Sequence, residues 1–224
     1  MKTSLFLLFS VCLGLPATAQ SVSARVDSVV VLVHAGSDNP ELHQLMSQAL
    51  HVEKWHVEAV QAQLAGKLFH LTYQEYRNGV AEAEKELVGN PARLLRCDPQ
   101  GHFAMDVFAR QATDTRLENQ FLFAAGATVK SFVALPGQGD RYSLRTDLWP
   151  YKVRPALVRT PGQQVTADRK FPVGQKVPFL VYTLPYESDG YLLYCALAQS
   201  NVPVKDWYAK YKIAHFVVYN LRIE

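Results

Sequence analysis

The chain has 224 residues, 49% hydrophobic and 11% aromatic, with 23 basic and 20 acidic side chains and a formal net charge of +3. That length can bury a substantial core without metal or disulfide support, as one large β-rich domain or two small ones. The near-neutral balance argues against nucleic acid as a partner, because that role requires a concentrated basic face.

The first segment reads as an address. Lys2 gives a basic start, Leu5 to Leu15 make an apolar run too short to span a bilayer, and Ala17-Thr18-Ala19 offers small residues for cleavage. The pattern predicts a signal peptide over residues 1–19, cut before Gln20. A mature chain of residues 20–224 would follow, with no transmembrane segment and a periplasmic, cell-surface or extracellular destination.

Val26 to Val33 is a β-branched run and predicts a buried strand. Ser37-Asp38-Asn39 then supplies N-cap side chains, with Pro40 near the first helical position. Leu42, Leu45, Met46, Ala49 and Leu50 recur at helical spacing, and the pattern continues less cleanly through Trp55, Ala59 and Leu64. One broken helix, or two short ones, is expected between Pro40 and Ala65. Lys67 to Tyr76 alternates Phe69, Leu71 and Tyr73 against polar neighbours. Asn78-Gly79 gives the turn that tight hairpins prefer, and the strand returns over Val80 to Val88. A second hairpin is expected from Ala92–Cys97 to His102–Arg110 across Asp98-Pro99-Gln100-Gly101.

Further strands are expected near residues 117–124, 128–135, 142–148, 152–158, 177–184, 191–197 and 213–223, with a brief helical turn from Trp207 to Lys212. Short strands at this spacing predict a mostly β fold, a β-sandwich of antiparallel sheets with one N-terminal helical segment. The only candidate boundary lies near Gly89-Asn90-Pro91, and a single continuous core over residues 20–224 is the simpler reading. The ending Ala19-Gln20, the strand and helix after it, the Tyr73…Asn78-Gly79 hairpin and the closing run His215-Phe216-Val217-Val218-Tyr219 form a layout. It resembles the uncharacterised secreted β-rich families common in Gram-negative bacteria. The resemblance implies export and a β-rich fold; it implies no site.

Catalytic signatures are sparse. His51-Val52-Glu53 and His56-Val57-Glu58 repeat at a spacing of five, which turns two imidazoles about 140° apart on a helix, so the four-residue spacing of a helical zinc site is not met. No Gly-x-Ser-x-Gly elbow, Cys-x-x-Cys pair, Gly-x-Gly-x-x-Gly or P-loop occurs. No metal and no cofactor are expected. Cys97 and Cys195, the cysteines that survive cleavage, form a candidate disulfide in an exported chain. Bases outnumber acids between Asp140 and Lys176, either as one basic face or as solvated strand surfaces.

Aromatic residues crowd the last third. Trp149, Tyr151, Tyr186 and Trp207 lie in or beside loops, where a planar ring can stack on a sugar or grip a protein. The expectation is a non-catalytic binding or envelope-associated module recognising glycan or protein through these rings. A secreted glycoside or peptide hydrolase with a site assembled from distant residues is one alternative, and a structural or assembly subunit the other.

Overall fold

The computed structural model describes residues 28–146, 166–194 and 202–224. The predicted signal peptide, the strand expected over 152–158, and Trp149, Tyr151 and Cys195 lie outside those residues.

Two antiparallel sheets face each other. The first runs in the order β10 (Thr166–Pro172), β1 (Ser28–Ala35), β2 (Glu53–Val60), β6 (His102–Thr113), β7 (Arg116–Phe123), β8 (Gly126–Val133). The second runs β4 (Val80–Ala81), β3 (Phe69–Arg77), β14 (His215–Ile223), β11 (Val177–Thr183), β9 (Ser143–Arg145), with β5 (Lys85–Glu86) also on β3. A separate hairpin pairs β12 (Tyr186–Ser188) with β13 (Tyr191–Leu193). No helix among the described residues is long and apolar enough to cross a membrane.

The period of two in each strand decides what lies between the sheets. Val29, Val31 and Val33 of β1, and Phe103, Met105, Val107 and Ala109 of β6, point inward and are buried. They meet β3 and β14 from the second sheet: Phe69 stacks on Phe103 at 4.0 Å, and Phe121 meets Tyr219 at 5.0 Å. β14 is nearly buried throughout because its second face is also covered. Phe216 stacks on Tyr76 and packs against Trp207 of the helical turn α3 (Trp207–Tyr211). Leu87 and Val88 before Gly89-Asn90-Pro91, and Leu95 and Cys97 after it, belong to one hydrophobic cluster.

The expected turn at Asn78-Gly79 forms, with positive φ at both residues, but the return strand expected over Val80 to Val88 pairs with β3 only at β4 and β5; the turn closed by the Gly101 N–H donating to the Asp98 carbonyl also forms. Three further expectations change. The helical segment comprises α1 (Pro40–Gln44), a π-helical turn (Leu45–Ala49) and, beyond an intervening strand, a 3-10 turn (Ala62–Leu64). His51 then turns the chain at φ 50°, and residues 53–60 become the strand β2, held by β1 on one side and β6 on the other. The apolar face of that short helix is not buried either: Leu42, Leu45 and Leu50 are exposed and only Met46 reaches the core. Ala92–Cys97 is not a hairpin strand, since Pro91 starts a helical turn, α2 (Pro91–Leu94), and pairing shrinks to a bridge between Leu68 and Arg96. The charged segment β10 is an unexpected strand, paired with β1 from Ser28 to His34 at the sheet edge.

Candidate binding cleft

The described rings chosen for exposure are core rings. Trp207 is 1% exposed, and its indole N–H donates to the Val202 carbonyl at 3.1 Å. Tyr186 is 5% exposed and packs on Tyr211 at 5.0 Å. Both close over the outer face of the second sheet, so neither offers a ring face to a sugar. Cys97 is a buried free thiol, pushed up to about 11 by burial and then by the neighbouring Asp98 charge.

Polar side chains gather at the end of the sandwich where β2 and β9 begin and β6 ends. There the register brings His215 beside Arg77 and Thr183 beside Ser143, while Glu53 pairs with Ala109 on the facing sheet. A cleft of about 200 Å³ opens at this end. The π-helical turn supplies Ser47, the left-handed residue supplies His51, and the first residue of β2 supplies Glu53. Gln111 comes from the end of β6, Asp140 and Tyr142 from the approach to β9, and Tyr182 from β11.

Several of these groups are already engaged. Glu53 bridges the sheets, accepting from the Ser143 hydroxyl at 2.6 Å and from the Leu144 N–H. Burial raises its pKa, against the opposing pull of those two bonds and of Arg145. The Tyr142 hydroxyl accepts the Leu135 N–H at 3.1 Å and lies 2.6 Å from His215 Nδ1. His215 is fully buried, and its Nε2 lies 2.9 Å from Glu75 Oε1. Arg77 completes the chain, donating to Glu75 at 2.5 Å and to the Val133 carbonyl at 2.6 Å. The network assigns the protons: Tyr142 donates to Nδ1, and Nε2–H donates to Glu75. The order tyrosine–histidine–carboxylate superficially matches a nucleophile with its base. However, burial pushes the Tyr142 hydroxyl up to about 12, and both of its hydrogen-bonding roles are taken. It is a tie between elements, not an activated oxygen.

Gln111 and Tyr182 are left over, as are Asp140 and His51, whose side chains make no hydrogen bond among the described residues. Gln111 Oε1 is buried with no hydrogen-bond partner, while its Nε2 donates to the Asp114 carbonyl at 3.4 Å. The Tyr182 ring is 2% exposed and lies 5.5 Å from the Tyr142 ring, and its hydroxyl makes no hydrogen bond among the described residues. With Asp140 and His51 also lining it, the cleft offers an amide oxygen, a carboxylate, an imidazole and one free hydroxyl.

The histidines resolve differently from the helical reading. The helix ends at Ala49, so His51 and His56 share no helix; His56 sits on β2, opposite His34 on β1 and Asp106 on β6. Among the described residues no group of three or more His, Cys, Asp or Glu side chains is arranged to hold a metal ion. No protein-family model, curated protein or solved structure matches this chain.

Proposed function

We propose that this protein is an exported, non-catalytic binding module whose cleft holds one hydroxyl-rich unit, such as a terminal sugar of a glycan. The observation that carries the reading is Gln111 Oε1, a buried acceptor without a partner on the cleft wall. Such an atom costs about 1–3 kcal/mol, and a ligand hydroxyl would recover it. Tyr182 adds a free hydroxyl, and Asp140 adds a further acceptor. A volume of about 200 Å³ is smaller than the roughly 300–1,000 Å³ of drug-sized pockets, which suits a single sugar ring. The two cleft groups that the protein itself engages, Glu53 through both oxygens and Tyr142 through its hydroxyl, hold elements together and are not available as acid or nucleophile.

The test is a thermal-shift and calorimetric screen of the purified protein against mono- and oligosaccharides. A ligand specific to the folded state adds about 2.7 kcal/mol of stability at a hundred times its Kd. One sugar class is expected to raise Tm, and Gln111→Leu or Tyr182→Phe is expected to weaken its binding at least tenfold. No shift with any sugar, or equal binding by both variants, overturns the reading.

A further inference from the structure

The outer face of the first sheet carries an arrangement independent of the cleft. Val29, Val31 and Val33 point inward on β1, so His34 points outward; the same alternation turns His56 of β2 and Asp106 of β6 outward. The register places His34 directly opposite His56, and His56 directly opposite Asp106. The three side chains therefore form one row across three neighbouring strands.

Each member has a distinct role. Asp106 Oδ1 lies 2.9 Å from His56 Nδ1 and 3.2 Å from Lys54 Nζ. A carboxylate that accepts a hydrogen bond from Nδ1–H fixes the tautomer and leaves the lone pair on Nε2, which is how outer carboxylates orient metal-binding histidines. His34 makes no hydrogen bond among the described residues, so both of its ring nitrogens are uncommitted. Its ring centroid is 4.8 Å from that of His56, with an interplanar angle of 76°. Two imidazoles bound at Zn–N distances of about 2.0–2.1 Å, with bond angles of 90–110°, place their centroids roughly 4.5–5.2 Å apart. The pair already stands at chelating separation.

We propose that His34 and His56 form an open two-histidine anchoring site for a divalent transition-metal ion, oriented by Asp106. No third His, Cys, Asp or Glu among the described residues is placed to close it, so water or an incoming ligand fills the remaining positions. Imidazole ligation selects copper, nickel and zinc over calcium and magnesium, and copper binds tightest of these.

The untagged, full-length purified protein is titrated with Cu²⁺, Ni²⁺, Zn²⁺ and Ca²⁺ by calorimetry, and the Cu²⁺ complex is read by electron paramagnetic resonance. The expected result is one ion per chain, copper tightest, calcium silent, and two nitrogens coupled to the copper. His34→Asn and His56→Asn are each expected to weaken binding more than tenfold. Asp106→Asn is expected to weaken it about tenfold without abolishing it. A His43→Asn control should bind as the parent does. All are surface changes, and unchanged circular dichroism shows that they fold. The proposal is overturned by the absence of binding, or by binding that survives in the His34→Asn/His56→Asn double variant.

Discussion

His215 is completely buried, and both of its ring nitrogens are engaged, one by Tyr142 and the other by Glu75. Tyr142 also receives the Leu135 N–H, so a single hydroxyl serves a buried ring and a half-buried backbone donor from different parts of the chain. Tyr142→Phe keeps the ring and removes only that oxygen. It strands a backbone donor and a ring acceptor, a loss of about 1–3 kcal/mol. The urea midpoint should fall with the m-value unchanged, since the surface exposed on unfolding is the same. An unchanged midpoint would show that the hydroxyl contributes nothing net. The same scale explains why the aromatic site was illegible. A tyrosine or tryptophan near a loop reads alike whether it covers a core, as Trp207 covers Phe216, or faces solvent. The sequence carries no mark of which ring another segment will cover.

Elements were legible where local chemistry decides them. Asn78-Gly79 requires positive φ at two positions, and β6 alternates without interruption over Phe103 to Ala109. They were illegible where distant partners decide. Trp55 and Ala59 fit a helical period while Trp55, Val57 and Ala59 fit a strand's, and pairing with β1 and β6 on both sides makes the segment a strand. Charged β10 shows no apolar alternation, and an edge position tolerates that. Glycines separate local strain from tertiary contact in a measurable way. Gly66 and Gly101 both sit at positive φ, 70° and 79°. An added Cβ at Gly66 meets nothing within 4 Å, whereas at Gly101 it would lie 2.0 Å from the Gln61 carbonyl oxygen. Gly66→Ala should therefore cost about 1–2 kcal/mol, for left-handed backbone alone. Gly101→Ala should cost about 1–3 kcal/mol more, because backbone must move out of backbone. Calorimetric melting of the two variants checks the order; equal losses would refute the contact argument.

Across the whole molecule, the cleft end is joined by ionisable groups that respond to acid in opposite directions. Burial alone would raise the Glu75 carboxyl, but its bond from His215 and the Arg77 charge outweigh burial and hold it below its ordinary value of 4.5. Glu84, in the connection between β4 and β5, behaves alike: burial raises it, and bonds from Lys176, Thr72 and Asn220 bring it down. A carboxyl with a depressed folded pKa contributes stability that is complete above its unfolded pKa and lost as pH falls through the folded value. Glu53, raised by burial, has the opposite sign: its contribution is present below 4.5 and lost as pH rises through its folded pKa. For these three groups, stability is greatest between the folded pKa values of Glu75 and Glu84 and that of Glu53. Below pH 4.5 the unfolding free energy of the parent should drop with acidification. Glu84→Gln keeps a side-chain oxygen for Thr72 and Asn220 but loses the charge that faces Lys176. The variant should be less stable than the parent at pH 7, converge with it on acidification, and show a shallower slope below pH 4.5. Denaturant titrations at a series of pH values measure that slope. Parallel curves for parent and variant would mean that Glu84 titrates alike in the folded and unfolded chains, and the acid lability would then belong to Glu75.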